Sequence, residues 1–461
     1  MSSVGAGSTR SARRFPSPRL VVPVGMAVLV SFLIVWIGLD TSHRTGSDFT
    51  ATYIGSWLLR TGHRADLYNY ATQVWAHNVL VEPAAAANTA VPPFVEIPVS
   101  AVVAAPLSLL NAATAYTVWT ALQLGLLIAA AAIVWRAVPR PSGRAAAEAL
   151  AIIIIPLASY ATFDLLWTGQ WDGVSALGIA VAYSCWRRGR RATGAACLVV
   201  AVLLAKPQLA LGLVAFMVGW RDRRVWGGAL AAVLGLTVSS LAIVGIAGAK
   251  AWLQLVGADS HLYSPTGLYG FIALPSAWFG NSALVAPVAS AGILALVGLC
   301  FVLGHRLRTQ RLSLGPALGT AICLSLLAAP HSYGYDAVNL IPALIWVLAE
   351  YSPFSTDAIV RRRAWTIVAL WYASMSAAFV RPLLPDVVLR AGNLAVWIAI
   401  ALAVCLWRTV HTVPVGDAPT SRAGVAGAGS VRRLISPSGM RTSLVQRHEG
   451  QPHGRTSRAT S

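Results

Sequence analysis

The sequence predicts an all-α fold, a polytopic transmembrane helical bundle, and three observations carry that prediction. Only 11% of the 461 residues are charged, against about 25% in a typical soluble domain. Apolar runs such as LVVPVGMAVLVSFLIVWIGL at 20–39 recur as far as about residue 407, and roughly 20 apolar residues cross a ~30 Å hydrocarbon core. The arginines gather in short loops and in both tails, which is how a membrane protein records its orientation. Helices satisfy their own backbone in lipid, so the expected architecture is a bundle of about 11 to 13 membrane helices.

In chain order, residues 1–19 carry Arg10, Arg13, Arg14 and Arg19 and are expected in the cytoplasm. The run 20–39 is too long for a signal peptide and lacks a small-residue cleavage site, so it reads as a retained anchor. It delivers 40–91 to the outer side, where 49–60 and 66–82 read as two short amphipathic helices lying on the membrane and broken by RTGHRAD. PPFVEIPVSAVVAAPLSLL, 92–110, is apolar but contains Pro92, Pro93, Pro98 and Pro106. As a full crossing it would place the basic loop WRAVPRPSGR, 135–144, outside, so it is expected to be a partial or interfacial element.

The basic loops at 135–144, 186–194, 220–224, 304–311 and 357–363 are all assigned to the cytoplasm. Helices over 146–166 and 173–186 then meet outside at WTGQWD, 167–172. KPQ, 206–208, faces outward between two arms of about 13 residues each, which predicts a broken or re-entrant pair. Helices 226–248 and 282–303 flank an outer loop, and helices 313–329 and 337–349 meet outside at PHSYGYD, 330–336. Helices 364–380 and 387–407, joined outside by RPLLPD, complete a membrane domain spanning 20–408. The Gly/Ser/Arg-rich stretch 409–461 lacks apolar periodicity and is expected to be a disordered basic cytoplasmic tail, either solvated or lying on anionic headgroups.

The net charge of +19 does not point to nucleic acid, because it is distributed over loops and tails. Cysteines 185, 197, 300, 323 and 405 are scattered through apolar stretches, without disulfide or zinc spacing. No nucleotide-binding glycine loop, serine elbow or metal-ligand cluster is present, so neither a metal nor another cofactor is expected.

With the loops so assigned, Asp48, Tyr53, Gln170, Asp172, Lys206, Gln208, His331, Tyr335 and Asp336 all fall on the outer face. Lys206 is one of two lysines in the chain and stands inside CLVVAVLLAKPQLALGLVAF. An ammonium there either snorkels to the headgroups or serves a site, as a cation for a phosphate or carboxylate, and the following proline breaks its helix. Asp48 can cap the helix 49–60 or act as a general base. Asp336 and His331 can cap the next helix or solvate a loop, and Gln170 can be a helix-end hydrogen-bonding group. The 17 tryptophans and 12 tyrosines suit an interfacial belt and packing.

Five segments in this order resemble glycosyltransferase family 87: GSDFTATYIGSWLLRTGHRADLYN after the first helix, VPPFVEIPVSAVVAAPLSLL, WTGQWDGVSAL, LLAKPQLALGLVAF before a basic loop, and PHSYGYDAVNL. The resemblance runs over about 20–400 and implies a GT-C glycosyltransferase working at the outer face of a bacterial plasma membrane with a polyprenyl-phosphate sugar donor. It further implies an α-mannosyltransferase using polyprenol-phosphate-mannose, with arabinofuranosyltransferases as relatives, and gives Asp48 the place of the catalytic base. HSYGYD departs from the Ser-Trp-x-His-His pattern of some mannosyltransferases, and Asp172 stands where relatives often carry Asn. Both departures leave sugar and acceptor open.

The expected mechanism has Asp48 deprotonate an acceptor hydroxyl of a glycolipid or polysaccharide, which attacks the anomeric carbon in line. Lys206, with Gln208 and His331, steadies the departing polyprenyl phosphate. Tyr53, Gln170, Asp172, Tyr335 and Asp336 contact substrate, and a β-linked donor yields an α-linked product. The competing class is a secondary transporter or lipid flippase, which would place its ionisable groups near the bilayer midplane and usually show internal repeats; a scaffold for envelope assembly is a third.

Overall fold

The computed structural model describes residues 15–81, 91–138, 144–259, 270–280 and 282–380, together with positions 385 and 388. The first 14 residues, the RPLLPD turn as a unit, the closing helix 387–407 and the tail 409–461 lie outside the described residues. Regular structure among the described residues is entirely helical.

The chain opens with α1 (Pro18–Ile37), a 20-residue apolar span. α2 (Thr41–Thr45) is capped by Asp40, whose carboxylate accepts the His43 N–H at 2.7 Å. α3 (Phe49–Arg60) and α4 (Tyr70–Leu80) form the expected short pair. α4 begins four residues later than its periodicity suggests, because Arg64–Asp66 closes a 3₁₀ turn and Asn69 then caps the helix through the Thr72 N–H. α5 (Pro98–Ala104) passes into a 3₁₀ turn, Ala105–Leu109, and the two together are too short to cross a membrane.

α6 (Ala112–Ala137) is a full span. α7 (Ala146–Leu157), with Pro156 near its end, and α8 (Tyr160–Thr168) make one span bent by 53°. α9 (Asp172–Arg187) descends and α10 (Arg191–Ala205) returns. A 3₁₀ turn, Pro207–Leu209, separates α10 from α11 (Ala210–Trp220). α12 (Arg223–Asp259) leaves helical geometry once, at Gly245. α13 (Ala273–Phe279), α14 (Val285–Arg308), α15 (Leu314–Ala328), a 3₁₀ turn Gly334–Leu340, α16 (Ile341–Glu350) and α17 (Ala358–Val380) follow.

Two expectations need correction. The helix expected over 226–248 continues to Asp259, so the start of the supposed outer loop is helical. Beyond Gly245 the helix has a partner to bury against: Trp252 Nε1 donates to the Val95 carbonyl at 2.8 Å, and Leu255 joins Leu58, Tyr68 and Phe94 in one apolar cluster. The helix expected over 337–349 starts only at Ile341, because the preceding residues form a 3₁₀ turn that their polar side chains hold. Among the described residues, four helices are long and apolar enough to cross alone, or five counting α7–α8 as one, in keeping with the expected polytopic helical bundle. The remaining apolar helices are shorter and lean on neighbours.

The layering follows apolar pattern. α15 is buried from Gly315 to Ala328, and α16 from Ile341 to Ala349. A helix apolar on every face belongs inside. α1, α12 and α14 lie at the periphery and expose Ile34, Ile246 and Leu294, as a lipid-facing surface requires. Small residues set the close contacts: Gly219 of α11 abuts the Phe301 carbonyl of α14, and Gly304 of α14 abuts the Phe216 carbonyl of α11.

α9, α10, α11 and α15 share one property that positions everything else. Each runs between an arginine-bearing turn and a polar end. With 15 residues in α10 and in α15, the climb is ~22 Å, short of a ~30 Å hydrocarbon core. The polar end therefore stands where these short helices stop and not at the end of a full crossing.

The α11–α14 crossing yields a direct test. Gly304→Val should lower stability by about 1–3 kcal/mol through overpacking, read as a lower melting temperature in one fixed detergent, whereas Gly298→Val on the same helix, where a Cβ meets open space, should melt within error of the parent protein.

Candidate functional site

The polar end is assembled from four pieces of backbone: the entry to α3, the α8–α9 turn, the break between α10 and α11, and the segment before α16. The α8–α9 turn rests on Gly169, which has a left-handed backbone (φ 72°). A side chain there would also strike Phe49, its Cβ falling 2.8 Å from the Phe49 Cβ. Glycine thus lets the turn tuck against the start of α3. Indole and phenol donors pin it: Trp119 Nε1 to the Gly169 carbonyl at 2.9 Å, Tyr116 Oη to the Leu166 carbonyl at 2.5 Å, and Trp171 Nε1 to Thr52 Oγ1 at 3.0 Å.

This docking brings Gln170 to Asp48. The Gln170 amide nitrogen donates to Asp48 Oδ2 at 2.7 Å, while its amide oxygen accepts from Lys206 Nζ at 3.1 Å. One amide therefore joins an exposed carboxylate to a buried ammonium. Asp48 occupies the N-cap position of α3 but makes no side-chain capping bond, so the capping role is corrected: its carboxylate is held by Gln170 and open to solvent.

Lys206 ends α10. Its N–H still reaches the Val202 carbonyl, after which Pro207 cannot continue the ladder. Ser100 of α5 donates to the Leu204 carbonyl beside the break at 2.9 Å. The ammonium does not snorkel. It is buried, 3.3 Å from Asp336 Oδ1, 3.9 Å from Asp172 Oδ2 and 4.5 Å from the centre of the Tyr335 ring. Each carboxylate is held on its other oxygen. Asp336 Oδ2 accepts the Tyr333 N–H at 2.7 Å, and Asp172 Oδ1 accepts from Asn339 Nδ2 at 2.9 Å. Ser175 then donates to Asn339 Oδ1 at 2.6 Å. At an effective dielectric near 20, a charge pair about 4 Å apart is worth about 4 kcal/mol, so this cluster fixes three chain segments at one point.

The remaining residues sort by depth. Gln208 and His331 are half-buried beside the cluster, with Gln208 Nε2 donating to the His331 carbonyl at 3.3 Å. Burial, and then the Lys206 ammonium, hold the His331 imidazole below its ordinary range, against the pull of Asp336. Asp48, Gln170, Gln208 and His331 thus form an accessible rim, and Asp172, Lys206, Tyr335 and Asp336 a buried floor. Tyr53 joins neither: it is buried and its hydroxyl donates to the Leu110 carbonyl at 2.8 Å. Of the residues expected to touch substrate, only Gln170 lies on the rim; Tyr53, Asp172, Tyr335 and Asp336 have structural work in the folded chain.

Asp164 of α8 escaped the sequence reading. Its Oδ2 sits 2.7 Å from where a Cβ on Gly334 would be, so it fits against the turn only because residue 334 is glycine. It also feels the charges of Asp48, Asp336 and Lys206. Its signal was present, since an acid within the apolar stretch YATFDLLW is a functional-site hypothesis by default. Asn339 and Ser175 carried no comparable signal. Among the described residues no group of three or more His, Cys, Asp or Glu has metal-holding geometry.

Comparison with known proteins gives one family. The model of glycosyltransferase family 87 matches residues 94–330, just over half of the chain and a narrower stretch than the resemblance over about 20–400. No curated protein and no solved structure matches the chain. The matched stretch contains Gln170, Asp172, Lys206 and Gln208; Asp48, His331 and Asp336 lie outside it, joined to it by the contacts above.

The floor makes a quantitative prediction. Lys206→Met leaves two buried carboxylates without their cation and should destabilise the protein by about 3–5 kcal/mol, seen as a loss of melting temperature and yield. Adding Asp172→Asn and Asp336→Asn to that variant should restore most of the loss, since no unpaired charge then remains.

Proposed function

The chain belongs to glycosyltransferase family 87 and is a multi-pass membrane glycosyltransferase, and from that premise we propose that Asp48 is its general base, transferring mannose from a polyprenyl-phosphate donor to a glycolipid or polysaccharide hydroxyl at the outer face of a bacterial plasma membrane. The single observation that carries this reading is the Asp48–Gln170–Lys206 chain, an exposed carboxylate oriented by a neutral amide that is itself anchored on a buried cation. A base must be both aimed and reachable, and Asp48 is both.

In this mechanism the acceptor hydroxyl gives its proton to Asp48 as its oxygen attacks the anomeric carbon, and the bond from that carbon to the phosphate oxygen breaks. The departing phosphate keeps the electron pair and needs no proton. Lys206 is already engaged by Asp172 and Asp336, so its part is to anchor Gln170 and through it Asp48, and direct contacts to the phosphate fall to Gln208 and His331 on the rim. A single displacement inverts the anomeric centre. Mannose and the outward orientation rest on the resemblance and on the arginine-bearing turns at the other end of the bundle.

A lipid-tailed donor also suits the surroundings. A cavity of about 570 Å³ between α1, α7 and α17 is lined by Leu20, Val24, Phe32, Ile155 and Val368, and it includes Tyr160. The Tyr160 ring lies within 3.6 Å of where a Cβ on Gly334 would sit, so the apolar cavity and the polar end share a boundary. A transporter reading lacks such support, because the ionisable groups stand at one end of the short helices and not at mid-span.

Membranes containing the protein, supplied with radiolabelled polyprenol-phosphate-mannose, should transfer label to an endogenous glycan. Asp48→Asn should reduce transfer by about 10²–10⁴-fold at unchanged protein level. Full transfer by that variant would remove Asp48 as the base, and absence of transfer by the parent protein across acceptor preparations would remove the donor assignment.

A further inference from the structure

At the end of the bundle opposite the polar cluster, three turns come together. Arg191 at the start of α10 pairs with Asp222 in the α11–α12 turn and lies over the Trp220 ring at 5.6 Å. Gly304, near the end of α14, comes within 2.8 Å of the Trp220 amide nitrogen when given a Cβ. Arginines 187, 188, 190, 191, 221, 223, 224, 306, 308 and 311 are all exposed on these turns, and Asp222 is the one acid among them. Within the described residues, only Arg191 of that set has an ion pair.

Orientation alone calls for basic loops, but it does not call for what lies beside them. α11 packs tightly on α14 and makes few contacts with α12, to which a short turn joins it. One face of α11 carries Leu211, Val214 and Val218, all exposed, while Leu213, Phe216 and Met217 on its other face are buried. Near the turn Trp226 of α12 is exposed and donates its indole N–H to the Met217 carbonyl of α11 at 2.9 Å, tying the two helices together, and tryptophan favours a membrane interface. Arg221 ends α11 with a left-handed backbone (φ 53°), a conformation common where a helix stops.

We propose that the exposed stripe of α11 and the arginines at its end form a binding site for an anionic phospholipid, its phosphate on Arg221, Arg224 and Arg306 and one acyl chain along Leu211, Val214 and Val218. The charge is complementary, the apolar stripe starts directly beneath it, and basic pockets between membrane helices are suited to such headgroups. The site is independent of the glycosyl-transfer reading and lies about 15 residues of helix away from it.

The full chain, purified in a neutral detergent and incubated with equal amounts of dioleoylphosphatidylglycerol and dioleoylphosphatidylcholine, should retain the anionic lipid preferentially in native mass spectra. The Arg221→Ala/Arg224→Ala/Arg306→Ala variant should weaken that retention about fivefold per arginine and leave the zwitterionic lipid unchanged. Arg362→Ala/Arg363→Ala, in the first turns of α17, should change nothing. Val214→Trp, which reshapes the apolar stripe and keeps every charge, should displace the lipid as well, and free glycerol phosphate should fail to compete. Equal retention of the two lipids, an equal loss per charge in the control pair, full retention by Val214→Trp, or displacement by free glycerol phosphate would each overturn the proposal.

Discussion

The structure depends on one buried ammonium. Lys206 stands where two short helices break, and its charge is tolerable only because Asp172 and Asp336 come to it from α9 and from the segment before α16. Neither acid could stay buried alone either. The three groups therefore assemble together or not at all, and each carries its own stretch of chain. Asn339 finishes the arrangement by donating to the Asp172 oxygen that the lysine leaves over, and Ser175 in turn holds the Asn339 amide oxygen. What results is a rigid point inside a bundle whose other contacts are made by interchangeable apolar side chains.

That point gains its use from depth. Helices of 15 residues are shorter than a full crossing. The entry to α3 and the α8–α9 turn meet beside the lysine through Gln170, and Gly169 lets them approach. Asp48, Gln170, Gln208 and His331 are the accessible groups, while the groups beneath are buried and hold one another. Preorganised groups of this kind need little rearrangement when charge develops in front of them.

Much of this was legible in the sequence, for a physical reason. A charge inside an apolar run is expensive, so Lys206 and Asp172 announce themselves, and arginine-rich turns show which polar groups share an end. Partnership was not legible. Nothing in KPQ says that the lysine is already paired, so it read as free to bind phosphate. Asp48 read equally as a cap or a base, because acids often cap helices, and only the fold shows its carboxylate held by a glutamine 122 residues away. Tyr53 has the right position in the chain, and only the fold shows its hydroxyl spent on Leu110. The length of α12 was hidden because its outer half looks too polar for lipid and reveals its apolar partners, Phe94 and Leu58, only in three dimensions.

The division between rim and floor bears on how such a protein can change over time. Substitutions at Gln208 or His331 alter what the rim presents without touching a buried charge, so they are open to drift, one residue at a time. Loss of Lys206 strands buried carboxylates and calls for matching changes at Asp172 and Asp336. The accessible groups can thus vary singly, while the buried lysine can change only in concert with its acids.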